Sequence, residues 1–186
     1  STHFLWNAKM RFGKTFAVYK LAQKMKWKKI LILTFKPAVQ SAWEDDLKQH
    51  KDFNDWQLIA KNNLGFEEID KKKPFACFAS LQDFLGKNKL GGIKLKNEWA
   101  HAINWDCVIF DEYHYGAWRD KTKELFESES VKEISFQKGA DIFWDNESSL
   151  PLTTNFYLYL SGTPFRALSS GEFIEEQIFN WTYTDE

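Results

Sequence analysis

A loop ending in Gly-Lys-Thr separates two contrasting segments near the start of the chain. The segment before it, residues 4–6, is apolar, and the spacing of apolar residues over 15–26 predicts an amphipathic helix. A strand, a loop and a helix in this order are the context that a phosphate-binding loop requires. A helix start that matches by chance is the alternative. The loop reads Ala8-Lys9-Met10-Arg11-Phe12-Gly13-Lys14-Thr15, with Ala8 in place of the first glycine of the pattern.

The residue types of this loop suit the chemistry of a bound nucleotide. Backbone N–H groups of the loop and of the helix start can point at phosphates. Gly13 allows close approach of the backbone, and Lys14 can direct its charge to the β- and γ-phosphates. The Thr15 hydroxyl is a predicted ligand of Mg²⁺. We therefore predict ATP and Mg²⁺ as cofactors, bound through the eight residues of the loop.

Further apolar runs predict the other strands of a sheet. They cover residues 30–35, 75–79, 107–110 and 156–160, with a weaker run at 57–60. Several are apolar on both faces, as buried parallel strands are. Helical patterns over 43–48 and 121–127 lie between them, and this alternation predicts a mainly parallel sheet flanked by helices. Residues 86–104 predict a loop or lobe at the sheet edge, and residues 132–152 predict irregular surface structure.

Two acids end one of the predicted strands. Asp111 and Glu112 directly follow the apolar run 107–110. A carboxylate at the end of a buried strand is unfavourable unless it meets a cation or hydrogen-bond donors. Asp111 is therefore predicted to hold Mg²⁺, directly or through water, and Glu112 to orient and deprotonate an attacking water. A solvated strand end with a helix cap is the alternative, but the presence of Lys14 in the same chain favours nucleotide hydrolysis.

Four motifs, in the same order along the chain, resemble those of superfamily 2 helicases and translocases. Asp111-Glu112-Tyr113-His114 is similar to the Asp-Glu-x-His box, and Ser161-Gly162-Thr163-Pro164 is similar to the third motif. Residues 34–37 stand in the place of motif Ia, and residues 79–82 in the place of a further DNA-contacting motif. With the phosphate loop, the resemblance spans residues 8–165. It is nearest to the ATPase subunits of restriction enzymes and to phage or plasmid helicases.

The resemblance implies a three-layer RecA-like fold and roles for individual residues. The strand before Ser161 is expected between the phosphate-loop strand and the acidic strand. Lys14 and Glu112 would be catalytic, while Ser161, Thr163 and His114 would form a hydroxyl and imidazole network beside Asp111 that responds to the γ-phosphate. A surface histidine is the alternative for His114. The residues implied to contact a nucleic-acid backbone are Phe35, Lys36, Pro37, Ser80 and Gln82, for which an ordinary strand-to-helix turn is the alternative.

The resemblance also implies a two-lobed motor with ATP between the lobes. Nothing after Phe165 resembles the second RecA-like lobe, which supplies arginine fingers and part of the DNA track. Residues 1–186 are therefore expected to form one ATP-binding domain, the first lobe, with weak or no hydrolysis alone. DNA is the expected partner, and RNA stays open. A non-catalytic lobe that docks DNA or protein, and a small-molecule kinase, are the alternative functions.

The net charge and the cysteines bear on how the protein contacts DNA and on where it is located in the cell. The net charge is −1, so any DNA contact must be local, or shared with protein outside this chain, and not the result of a generally basic surface. Cys77 and Cys107 lie in apolar runs and predict buried, reduced thiols, with a disulfide between them as the alternative. No apolar run approaches the roughly 18 residues of a membrane span, and the first residues lack a signal-peptide pattern. The sequence predicts a cytoplasmic protein without a membrane segment.

Overall fold

The computed structural model describes residues 2–8, 13–85, 98–112, 152–162, 173 and 175–181. Its centre is a sheet of seven parallel strands. Two short strands, β5 (Asn104–Trp105) and β7 (Thr153–Thr154), pair separately. The central strands are β1 (Thr2–Ala8), β2 (Lys29–Thr34), β3 (Gln57–Ile59), β4 (Phe75–Ser80), β6 (Cys107–Asp111), β8 (Phe156–Ser161) and β9 (Ile178–Trp181). Their order across the sheet is β3-β4-β2-β6-β8-β1-β9.

Helices connect these strands. The two longest described helices are α1 (Lys14–Lys24) and α2 (Gln40–Gln49), and α3 (Leu81–Leu85) and α4 (Glu98–Ala102) are short. Single turns of 3₁₀ helix occupy Pro37–Val39, Lys51–Phe53, Phe66–Glu68 and Glu175–Gln177. Within the described ranges, no helix is both long and apolar enough to cross a membrane.

The sheet is buried on both faces. Along β2, Ile30 and Ile32 point to the face covered by α1 and α2, whereas Leu31 and Leu33 belong to the cluster on the opposite face. This alternation is the strand period of two, and helices on both sides explain why the strand sequence is apolar throughout. The cluster of the first face includes Val18 and Trp43 from the helices. Leu81, Phe84 and Ala100 belong to the opposite cluster, so the predicted sheet flanked by helices is confirmed.

Both ends of each predicted strand agree with the structure to within two residues. The strand that ends at Ser161 lies between β1 and β6, as the resemblance implies. Several short elements were not predicted, among them helix α4 and strand β9. Helix α4 forms within the segment expected to be a loop or lobe, where Trp99 stacks on Phe66 with ring centroids 4.3 Å apart. Strand β9 pairs with β1 at the sheet edge. The predicted helix at 121–127 and nearly all of the segment 132–152 lie outside the described residues.

Asp106 fastens the beginnings of two central strands to each other. Its carboxylate Oδ2 accepts hydrogen bonds from the backbone N–H groups of Lys28 and Lys29, at 2.7 and 2.9 Å. Its own N–H donates to the carbonyl of Lys29 at 2.9 Å. These bonds set the register of β6 against β2. The register in turn determines which residues lie next to each other where the two strands end.

Replacing Asp106 with Ala should therefore destabilise the fold. Two backbone donors lose a charged acceptor, and such a loss lowers the free energy of unfolding by about 1–3 kcal/mol. Urea unfolding monitored by circular dichroism measures the change. Asp55 is an exposed acid, and Asp55→Ala is the matched control with an expected change near zero. Equal stability of the two variants would contradict this role for Asp106.

Candidate active site

The carboxyl ends of the parallel strands bring polar side chains to one edge of the sheet. Thr34 at the end of β2 is in register with Ser80 of β4 on one side and with Asp111 of β6 on the other. Farther along this edge, Ser161 of β8 is in register with Asn7 of β1. Thr34, Asp111 and Ser161 are the buried polar or charged residues of the described chain, and all three lie here. Ligands of open α/β sheets bind at this edge.

The phosphate loop begins and ends at the same edge. Ala8 ends β1, and Gly13 directly precedes α1 with left-handed backbone angles, φ 77° and ψ 38°. An added Cβ at Gly13 would meet nothing within 4 Å, so the glycine is required by its backbone conformation and not by crowding. No side chain of the described residues caps the start of α1. The predicted loop residues Lys9, Met10, Arg11 and Phe12 lie outside the described residues.

Lys14, at the first position of α1, meets the acidic strand end. Its Nζ lies 3.5 Å from Oε1 of Glu112, and the two side chains are 12% and 23% exposed. The other carboxylate oxygen of Glu112 lies 3.8 Å from Nζ of Lys36, which is largely exposed. Glu112 itself has a left-handed backbone, with φ 54°. The two predicted catalytic residues are therefore in contact.

Asp111 is buried beneath this ion pair. The residue is 4% exposed, and its carboxylate accepts hydrogen bonds from Nε1 of Trp43 and from the backbone N–H of Glu112, both at 2.8 Å. Burial raises the pKa of Asp111 above its ordinary value, while the bond from Trp43 and the positive charge of Lys14 act in the opposite direction. The sequence pattern predicts a helix at Trp43 and does not indicate its contact with Asp111.

Thr15 contacts a second acid that no sequence motif indicates. The Thr15 hydroxyl Oγ1 donates a hydrogen bond to Oδ2 of Asp46 on α2. The other carboxylate oxygen of Asp46 lies 3.7 Å from Nε2 of His50, one helical turn later. In the sequence, Asp46 is one of three consecutive acids, and the one signal that singles it out is its spacing of three residues from the buried Trp43.

The residues implied to contact nucleic acid differ in their surroundings. Lys36 and Gln82 are exposed, whereas Phe35 packs against the core. Pro37 begins the 3₁₀ turn before α2, and Ser80 Oγ accepts the backbone N–H of Asp83 at 3.1 Å, which caps α3. Pro37, Ser80 and Gln82 nevertheless line one open cleft of about 680 Å³. The predicted network around Ser161 is only partly described, because Thr163 and His114 lie outside the described residues.

Comparison with known proteins decides the family. The family model of the type III restriction enzyme Res subunit matches residues 4–166. The chain belongs to this family. A Mycoplasma pneumoniae protein, described as the C-terminus of a "putative type II restriction enzyme and methyltransferase", is 37% identical over an alignment of 206 residues including gaps. The alignment covers 98% of this chain and 28% of that protein. The resemblance to helicase-like ATPases is thereby confirmed.

A solved structure gives the same fold. The Sulfolobus solfataricus SWI2/SNF2 ATPase core in complex with dsDNA is similar, with a TM-score of 0.52 and 15% identity. The likeness covers 87% of this chain and 28% of the solved chain. At this identity it concerns the fold, and it confirms the predicted RecA-like, three-layer architecture. The chain thus spans little more than a quarter of the length of each of these two proteins.

Helicase-like ATPases use a nucleotide and typically Mg²⁺, and the described side chains suit both. Mg²⁺ prefers oxygen ligands and is commonly held by one or two carboxylates together with substrate phosphates. The Thr15 hydroxyl and the Asp111 carboxylate, the two predicted ligands, are oxygen groups of this kind. The described residues contain no group of three or more His, Cys, Asp or Glu side chains that could hold a metal ion without such phosphates.

Gly13→Ala should lower stability through the backbone alone. A non-glycine residue in the left-handed region costs roughly 1–2 kcal/mol, and the added methyl group gains no contacts. Denaturant unfolding without nucleotide measures this change. Gly162, also at the carboxyl edge, has no left-handed backbone, and its added Cβ would meet the Ala8 carbonyl at 3.9 Å. Gly162→Ala is therefore the control, and similar losses in both variants would contradict the backbone explanation.

Proposed function

We propose that this chain is the ATP-binding motor lobe of a DNA-dependent ATPase, a helicase or translocase that works in a restriction system. The observation that carries the proposal is the meeting of Lys14, Glu112 and the buried Asp111 at the start of α1. Membership of the Res subunit family and the restriction-enzyme name of the Mycoplasma pneumoniae relative support the biological setting.

Each residue of this constellation has a proposed part in hydrolysis. Lys14 and the backbone of residues 8–15 bind the phosphates, and Thr15 and Asp111 hold Mg²⁺. The bound ion would neutralise charge on the phosphate oxygens. Glu112 orients the attacking water and accepts its proton. The contact of Glu112 with Lys14 supports this assignment, because it puts the proposed base beside the residue that would bind the γ-phosphate.

Nucleic-acid binding and the rest of the motor belong to the same proposal. Phe35, Lys36, Pro37, Ser80 and Gln82 contact the backbone of DNA, or of RNA. Two findings support this surface: three of these residues share a cleft, and the similar Sulfolobus solfataricus ATPase core was solved in complex with dsDNA. Residues 1–186 act as one first lobe beside a second RecA-like lobe. The greater length of the relatives supports that division.

A cytoplasmic location is part of the same proposal. Buried, free thiols at Cys77 and Cys107 support this location.

The main competing function is a lobe that only docks DNA or protein. Such a lobe would have no use for a buried aspartate whose charged form is disfavoured by burial. The constellation around Asp111 therefore favours catalysis over docking.

The decisive experiment measures ATP hydrolysis by the whole protein with and without double-stranded DNA. DNA should stimulate turnover, and Glu112→Gln should lower it by about 10²–10⁴, the usual contribution of a general base. Nucleotide affinity should survive in Glu112→Gln and disappear in Lys14→Ala, as calorimetry would show. A Glu112→Gln protein with full turnover would assign the base elsewhere. A wild-type protein that binds DNA but hydrolyses no ATP would support docking instead.

Ser161 and Thr163 are proposed to couple hydrolysis to DNA movement, with His114 in the same network. Replacing both hydroxyl residues with Ala removes hydrogen bonds worth about 0.5–1.5 kcal/mol each, which leaves the fold intact. Basal hydrolysis, DNA-stimulated hydrolysis and translocation are measured side by side, with the exposed Thr153→Ala as control. We expect the DNA-dependent activities to fall more than basal hydrolysis. An equal fall of all three would assign these residues to the hydrolysis step itself.

A further inference from the structure

Helix α2 contacts both of the residues that are proposed to hold Mg²⁺. Trp43 donates from its indole N–H to Asp111 at 2.8 Å, and Asp46 accepts the hydroxyl proton of Thr15. Trp43 and Asp46 are three residues apart and therefore lie on the same face of the helix. One rigid turn of α2 thus joins the acidic strand end to the first turn of α1.

We propose that Trp43 and Asp46 are positioning residues for the magnesium ion, acting through Asp111 and Thr15. The proposal rests on the proposed function, because it concerns the same nucleotide and ion. Neither residue belongs to the loop or to the acidic strand end, and neither is assigned as a ligand of the ion. Their part is to fix the direction in which the two ligand side chains present their oxygen lone pairs.

Asp46 acts on the Thr15 hydroxyl. A hydroxyl group has one proton and two acceptor lone pairs. When the proton is donated to the Asp46 carboxylate, both lone pairs of Thr15 Oγ1 stay available to a cation. The bond is also charge-assisted, and such bonds are roughly twice as strong as those between neutral groups. The Asp46 side chain is 21% exposed, so water competes little for its contact with Thr15.

Trp43 acts on the Asp111 carboxylate. The indole N–H can only donate, and the ring is fully buried. Two contacts from Tyr19 fix its position: the rings meet edge to face at 5.5 Å, and the Tyr19 hydroxyl donates to the Trp43 carbonyl at 3.1 Å. Because Trp43 holds Oδ2 and the Glu112 N–H holds Oδ1, the carboxylate cannot rotate freely. Each oxygen keeps a lone pair for the ion or its water.

The test separates magnesium binding from nucleotide binding. The affinity of the whole protein for ADP is measured by calorimetry, once with saturating Mg²⁺ and once with EDTA. The ratio of the two affinities reports the contribution of the ion. Asp46→Ala removes the acceptor, Asp46→Asn keeps an acceptor oxygen without the charge, and Trp43→Phe keeps a buried ring without the N–H.

We expect the variants to lose ADP affinity in the presence of Mg²⁺ and to keep it in EDTA. The ratio should fall by about 10–100-fold in Asp46→Ala, the usual effect of removing a group that orients a metal ligand. It should fall less in Asp46→Asn and should also fall in Trp43→Phe, while the affinity in EDTA stays within about twofold of wild type. Asp45→Asn, on the exposed side of α2, and Trp56→Phe, which contacts the same Tyr19 ring, are the matched controls with unchanged ratios.

The remaining outcomes overturn the proposal in distinguishable ways. Unchanged ratios in all three variants, beside a magnesium-dependent wild type, would show that α2 does not position the ligands. An equal loss in EDTA and in Mg²⁺ would show that Trp43 and Asp46 only support the fold. A wild-type protein whose ADP affinity is absent or independent of Mg²⁺ would instead remove the proposed function, and this inference with it.

Discussion

The buried carboxylate of Asp111 determines which groups must surround it in the site. An ionised side chain in a buried position is unstable unless donors and positive charge surround it. Asp111 has all of these, from the Trp43 indole, the Glu112 backbone N–H and the charge of Lys14. Each comes from a different element, namely α2, the turn after β6 and α1. The arrangement of these three elements around the strand end therefore offsets part of the cost of burying the Asp111 charge.

The compensation is incomplete, and the site is a source of instability in the ligand-free protein. Because burial raises the pKa of Asp111, folding favours its protonated form. Below the ordinary value of 3.8 the group is neutral in both states, and the destabilisation grows as pH rises from there through the raised pKa. Glu112 adds backbone strain, since its φ of 54° is unfavourable for a residue with a side chain. Strain and a disfavoured charge next to each other are typical of sites adapted to a ligand and not to stability alone.

The sequence predicted the central sheet because its strands are buried on both faces and so appear as continuous apolar runs. Gly13, Lys14 and the acids at 111–112 were recognisable because phosphate chemistry needs those residue types after a strand. The contacts of Trp43 and Asp46 were not, since a tryptophan and an acid on an amphipathic helix occur equally on ordinary surface helices. Helix α4 and strand β9 escaped prediction for a related reason, because contacts with distant segments, such as Trp99 with Phe66, stabilise short elements that local propensity does not specify.

The position of β1 in the sheet has a consequence for the synthesis of this lobe on the ribosome. Strands β2, β3, β4 and β6 can pair once residue 111 has emerged from the ribosome, whereas β1 pairs with β8 and β9, and Thr2 faces Phe156. At about 5–20 residues per second, translation of the intervening 150 or so residues takes roughly 8–30 seconds. During that time the first of the seven strands to leave the ribosome has neither of its sheet neighbours. The strand before the predicted phosphate loop is thus made before the other six and is paired after most of them, so the carboxyl edge of the sheet is completed only after β8 and β9 have been made.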